Sequence, residues 1–247
     1  MLPPPRRRQD NRGRPWASNR GCFEGILWIL QTGAAWRFLP DEFPAPSTCW
    51  RRLKQWEDEG VWLHAWRTLL GALDEEGLLK WDETFLDGSF PPAKKRGSAV
   101  GKTKQGKGTK WMVLVDGQGL PLESASPHEV TLAEATLAEV RVPRPKGRPR
   151  QKPERVIADT AYDSDPLRQR LQKRGIELIA PYRENRKQRR YADGRTLRRY
   201  KRRWIVERTN SWLGQFRRLL VRHEHLLSTY RAFFYLACFW ITLRHCL

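Results

Sequence analysis

The spacing of apolar residues changes once along this chain, and that change constrains the fold more than anything else in it. From residue 20 to about 78, apolar side chains recur every three or four positions: Phe23, Ile26, Leu27 and Leu30, then Trp50, Leu53 and Trp56, then Val61, Trp62, Ala65, Trp66, Leu69 and Leu70. That period belongs to helices with one buried face. Gly33 is a stop signal for the first, and Ser47 or Thr48 is the residue type that caps the second. From Glu83 onward, short apolar runs bounded by turn residues take over. Glu83–Asp87 and Lys110–Val115 read as strands, the second closed by Asp116-Gly117-Gln118-Gly119, and Leu120–Ser124 reads as a third. A helical pattern follows at Val130–Val140, a buried strand at Arg155–Ala158, a helix at Pro166–Arg174 with Asp165 as its cap, and a strand at Ile176–Ala180. Helices then occupy about 197–220 and 228–243. The order of three strands, helix, strand, helix, strand, helix predicts a mixed α/β sheet with flanking helices, preceded by a small all-helical domain. The expected division is a flexible basic arm at 1–19, a helical domain at 20–78 and an α/β domain at 79–247.

Charge then narrows the partner. The chain has 47 Lys and Arg against 27 Asp and Glu, a net charge of +20, yet 39% of its residues are hydrophobic and 12 are Trp. That excludes a disordered basic tail and points to a folded protein with a polyanionic partner. Residues 94–110 carry seven basic residues, no acid and four glycines, and 141–153 alternate Arg or Lys with Pro and Gly. Both segments are expected to be mobile without a polyanion and to hold phosphates through residues such as Lys107 and Lys110. A third basic stretch covers 183–203. Four scattered cysteines, no signal peptide and no apolar run near the roughly 20 residues of a membrane span predict a reducing cytoplasm, near the nucleoid, and no membrane. Gly97-Ser-Ala-Val-Gly101-Lys102-Thr103 imitates a phosphate-binding loop but is one residue short and leads into a strand, which argues against nucleotide binding.

Three acids stand out in this basic chain. Phosphodiester chemistry with two divalent metals needs converging carboxylates, because Mg²⁺ prefers hard oxygen ligands. Asp87 closes the first strand and is followed by the small residues Gly88 and Ser89; an ordinary turn Asp is the alternative. Asp159 ends the apolar run Val156-Ile157-Ala158, at the edge where α/β sheets bind ligands. Glu207 falls opposite the stripe Ile205, Thr209, Trp212, Phe216 and Leu220, with Arg203, Asn210, Ser211 and Gly214 on its own face. Spacing alone allows an unremarkable Arg203–Glu207 surface pair.

Tyr200-x2-Arg203-x3-Glu207 resembles the tyrosine–arginine–glutamate signature of bacterial insertion-sequence DDE transposases. Asp159-Thr160-Ala161-Tyr162 is similar to their second-aspartate motif, and Asp87-Gly88-Ser89 falls where the first aspartate is expected. The resemblance runs from about Arg20 to the end. It implies a ribonuclease H-like catalytic core, whose element order agrees with the one read from periodicity. It also implies Mg²⁺-dependent hydrolysis at the element's ends, with Mn²⁺ substituting, followed by attack of the freed 3′-hydroxyl on target DNA. By the same resemblance Asp87, Asp159 and Glu207 hold the metals, Tyr200 and Arg203 contact DNA phosphate, and double-stranded DNA is bound by a dimer or larger assembly. Two departures stand beside it. The signature's final Lys is Gly214 here, leaving Arg208, Arg217 or Arg218 to supply that charge, and the third strand is short for a central strand. They leave open a DNA-binding remnant or repressor of transposition. For base contacts, the helix from Ser47 is expected to expose Arg51, Arg52, Lys54 and Gln55, as a groove-reading helix does; a plain solvated face is the alternative. His128 is expected to start a helix or to lie behind the carboxylates.

Overall fold

The computed structural model describes residues 2–4, 15–103, 106–125, 132–187 and 194–246. Three helices come first: α1 (Asn19–Thr32), α2 (Pro46–Asp58) and α3 (Val61–Glu75). Ser18 caps α1 by accepting from the Gly21 N–H, and Gly33 ends it in the left-handed region at φ 71°. Helix α2 begins one residue before Ser47. Pro46 opens its first turn, where a missing N–H costs nothing, so neither Ser47 nor Thr48 caps it.

The second half holds β1 (Thr84–Ser89), β2 (Gly101–Thr103), β3 (Gly106–Gly108), β4 (Trp111–Val115), β5 (Pro121–Ala125), α4 (Leu132–Glu139), β6 (Arg155–Ile157), α5 (Asp165–Lys173) and β7 (Glu177–Ile179). Helices α6 (Gly194–Arg198), α7 (Trp204–Gly214), α8 (Arg217–Leu220) and α9 (Leu227–Cys246) complete it. The main sheet has the order β5-β4-β1-β6-β7, antiparallel on the β4 side of β1 and parallel on the β6 side. This is the mixed α/β sheet that the sequence predicts. Strand β5 lies at the sheet's edge and pairs along its length with β4, so its five residues do not have to bridge two neighbours. Every residue of β4 is buried, and Trp111 stacks on Phe234 of α9 at 4.1 Å. Helix α9 also packs on α2 and α3, so the opening helices and the sheet share one continuous core.

Four local expectations need correction. Ser164, not Asp165, caps α5; Asp163 is instead a buried partner of Arg168 at 2.7 Å. The helix expected across 197–220 is broken into α6, a 3-10 turn at Arg199–Arg203, α7 and α8. Its buried face is Ile205, Val206, Thr209 and Leu213, while Leu220 is exposed. The described part of the 94–110 segment is not bare solvated loop: β2 and β3 pair as a ribbon. Its glycines serve close approach, since a Cβ on Gly97 would sit 2.3 Å from the His225 carbonyl oxygen and one on Gly108 would sit 2.5 Å from the Phe90 ring. The 141–153 segment is likewise pinned: Val142 and Arg150 exchange backbone hydrogen bonds, and Arg144 and Arg150 pair with Asp74. In the described part of the arm, Trp16 lies under the Arg52 guanidinium and Pro3 accepts a hydrogen bond from Asn19.

Candidate active site

Strand β1 runs two residues past Asp87, because β4 pairs with it as far as Ser89. Asp87 therefore sits inside the central strand and does not end it. On the other side β6 stops at Ile157, in parallel register with Phe85. Carrying that register forward two residues sets Asp159 level with Asp87, on the same face by the two-residue side-chain period. Asp159 turns the chain there, its side chain accepting from the Ala161 N–H at 2.9 Å. Burial raises the Asp87 carboxyl above its ordinary range and the nearby Asp159 charge adds to that rise, while Arg203 opposes it. The Tyr162 hydroxyl is raised as well, chiefly by burial and then by the charges of Asp159 and Asp87.

The third carboxylate comes from α7. The turn before it is anchored by Glu83, whose buried carboxylate accepts from Arg199 and from Arg202. That anchor aims Arg203 at the sheet. Arg203 donates to Asp87 Oδ1 at 3.1 Å and lies 3.5 Å from Glu207. So the Arg203–Glu207 pair offered by spacing exists, but its guanidinium is shared with a carboxylate on β1. Glu207 itself is 57% exposed. From the same helix face Asn210 donates to Asp87 Oδ2 at 2.9 Å. Beside it, Ser89, Phe90, Leu213, Gly214 and Leu220 line an open cleft of about 260 Å³. Among the described residues no three His, Cys, Asp or Glu side chains are close enough to hold a metal ion together. The donor chemistry nevertheless suits Mg²⁺: two oxygen-bearing carboxylates at one level, one of them desolvated, with a third reached across a guanidinium.

A family model described as "Transposase DDE domain" matches residues 79–241, and one described as "Putative transposase of IS4/5 family (DUF4096)" matches residues 1–66. The chain belongs to the DDE transposases. Among its relatives in Burkholderia cepacia is the "Insertion element IS402 uncharacterized 16.2 kDa protein", 41% identical over 106 residues, which make up 42% of this chain and 72% of that one. Another is the "Putative transposase for insertion sequence element IS402", 37% identical over 145 residues, or 56% of this chain and 65% of that one. A solved piggyBac transposase, in a synaptic complex with hairpin DNA, superposes with a TM-score of 0.56 at 11% identity, covering 96% of this chain and 67% of that one. That last likeness is one of fold, and the fold is the ribonuclease H-like one.

Within this DDE transposase the remaining candidates separate. Arg208 turns inward, sandwiched between Trp204 and Trp212 at 5.0 and 4.7 Å and donating to the Gln118 carbonyl. These contacts hold it against the turn after β4. Of the four α2 residues expected on the surface, Arg51 is exposed, whereas Arg52 is only 5% exposed and donates to Asn19. Lys54 and Gln55 pair along the helix with Asp58 and Glu59. Lys107 and Lys110 are exposed on and beside the ribbon. His128 lies outside the described residues. Asn210 was visible only as one polar residue on the Glu207 face; its spacing of seven from Arg203 and three from Glu207 is the signal that it shares their target. No helix among the described residues is long and apolar enough to cross a membrane.

Proposed function

We propose that this chain cuts DNA at the ends of its insertion element and joins the freed 3′-hydroxyl to target DNA, with Mg²⁺ or Mn²⁺ held by Asp87, Asp159 and Glu207. The observation that carries this reading is the β1–β6 register, which levels the two aspartates, with Arg203 tying Glu207 to the same place. When bound, divalent ions supply the charge that activates the attacking oxygen and steadies the leaving one. In the first step water oxygen bonds to phosphorus, the bond to the 3′-oxygen breaks, and that oxygen leaves as a hydroxyl. In the second that hydroxyl oxygen bonds to a target phosphorus and displaces the target's 3′-oxygen. Arg203 and Tyr200 would donate to the DNA phosphate. The two family matches fall on either side of residues 67–78, which supports a helical DNA-binding unit at 20–78 and a catalytic unit at 79–247. Synapsis of two ends requires at least a dimer on DNA.

The test is a plasmid carrying the element with its native flanks, incubated with the protein and Mg²⁺. Breaks mapped to the element's borders are expected; uniform nicking would mark a general nuclease, and binding without breaks a DNA-binding remnant.

Two substitutions probe the DNA surface. Arg51→Ala is expected to weaken DNA binding and to reduce the salt slope by about 1 while leaving the melt unchanged. Arg52→Ala should lower stability by about 1–3 kcal/mol, because it loses a stack on Trp16 and a hydrogen bond to Asn19. Anisotropy at several salt concentrations, with thermal melts, distinguishes the two; equal salt slopes for Arg51→Ala and wild type would remove Arg51 from the interface. Gly214→Lys restores the signature's cation. Among the described residues a Cβ there would make an ordinary contact with Leu220, at 3.8 Å, so the fold should tolerate it. The expected result is tighter DNA binding and a salt slope steeper by about 1. An unchanged slope would show that this position does not face the DNA backbone.

A further inference from the structure

Helix α7, with Arg203 as the residue just before it, sets Arg203, Glu207 and Asn210 on one face, at steps of four and three. Two of the three reach back to β1. Arg203 takes Asp87 Oδ1 and Asn210 Nδ2 takes Asp87 Oδ2, at 3.1 and 2.9 Å. We infer that Asn210 is the positioning residue of the first aspartate, the group that fixes the rotation of the Asp87 carboxylate so that its remaining lone pairs face a divalent cation shared with Asp159.

Three observations favour this over simple packing. Asn is a poor helix interior residue, about half a kcal/mol or more worse than Ala, so α7 itself has no use for it here. Its donor ends on a half-buried carboxylate, not on water, although the residue lines an open cleft. Being neutral, it holds Asp87 without cancelling the negative charge a cation needs, as Arg203 does. The division of labour follows from that difference. Arg203 is shared between Asp87 and Glu207 and is the group that a DNA phosphate would draw away; Asn210 then keeps Asp87 aimed. Hydrogen bonds of this kind behind a ligand typically set metal affinity by about 10–100-fold.

This inference rests on the reading of Asp87 as a metal ligand, so its test carries a reference for that reading. Mn²⁺ binding to the full-length protein is measured by the loss of the free-ion paramagnetic resonance signal, alongside DNA binding in Ca²⁺ and thermal melts. The proteins are wild type, Asn210→Ala, Asn210→Leu and Asp87→Ala. Asn210→Leu keeps the side-chain bulk and removes the donor. Both Asn210 variants are expected to bind Mn²⁺ about 10–100-fold more weakly, with DNA affinity close to wild type and cleavage partly restored at high Mn²⁺. Wild-type Mn²⁺ affinity in Asn210→Leu would make the residue a space filler and overturn the inference, as would a lowered melting temperature with unchanged Mn²⁺ affinity in Asn210→Ala. If Asp87→Ala loses affinity and the Asn210 variants do not, this inference alone fails. Unchanged affinity in Asp87→Ala removes Asp87 as a ligand, and the functional reading falls with it.

Discussion

Glu207→Gln is expected to slow cleavage at the element's borders by at least about 10³-fold, a barrier rise of about 4 kcal/mol, with the fold and DNA binding intact. The substitution keeps the side chain's size and one carbonyl oxygen but removes the charge that makes a carboxylate a good ligand for a hard cation. Glu207 is the cleanest of the three acids to test because it is 57% exposed and its ion pair with Arg203 is long at 3.5 Å. Little stability depends on an exposed pair of that kind. Asp87→Asn should slow cleavage as much but is less clean. Asp87 is half-buried, and its charge faces the Arg203 guanidinium; neutralising it leaves that guanidinium, only 21% exposed, with Glu207 as its remaining acidic partner. Single-turnover cleavage of end-containing DNA, with melts and binding in Ca²⁺ as controls, measures both. A Glu207→Gln protein that cuts within tenfold of wild type would remove Glu207 from the chemistry, whatever its place in the signature.

The sheet and the three acids were legible in the sequence because each leaves a local mark. Strand β4 is a run of five apolar residues before a turn, and Asp159 closes another such run. What brings Asp159 beside Asp87 is not local: it is the Phe85–Ile157 register, set by a crossover of some seventy residues. The basic segments were misread for a related reason. Arg and Lys in a Gly-rich stretch read as solvated chain, but Arg144 and Arg150 find Asp74, and Gly97 and Gly108 are small because other backbone or a ring lies against them. Composition cannot distinguish a glycine that bends from one that makes room. Arg52 shows the same limit on a helix. Periodicity placed it on the exposed face, without revealing that Trp16 and Asn19 would cover it. Asn210 was missed as a site residue because a neutral amide at helix spacing carries no chemical mark until its partner is known.

Glu224→Ala is expected to be the most destabilising single change outside the hydrophobic core, at about 3–5 kcal/mol, or a melting temperature lower by roughly 6–20 °C for a chain of this size. Arg218 and Glu224 are 6% and 3% exposed, and two Arg218 nitrogens donate to the same Glu224 oxygen at 2.6 and 2.8 Å. The third donates to the Gly33 and Ala34 carbonyls at the end of α1. The pair therefore joins the opening helices to the segment between α8 and α9. Arg222, fully buried, works beside it by donating to the Glu224, Ser98 and His225 carbonyls and to Thr109, which fixes the root of the β2–β3 ribbon. Removing Glu224 strands the Arg218 charge in a low-dielectric site, and that stranded charge, not the lost attraction, dominates the cost. The double change Arg218→Met with Glu224→Leu should therefore recover most of the loss, since neither charge then remains to be desolvated. Urea and thermal melts of the single and double variants decide it. If Glu224→Ala melts within about 2 °C of wild type, the segment reorganises to let water reach Arg218; if the double variant is as unstable as the single one, the bonds to Gly33 and Ala34 are what holds the junction. In the second case Lys107 on the ribbon and Arg51 on α2 would still keep their places relative to Asp87 through α9 and the shared core, and DNA binding below the melting temperature should survive.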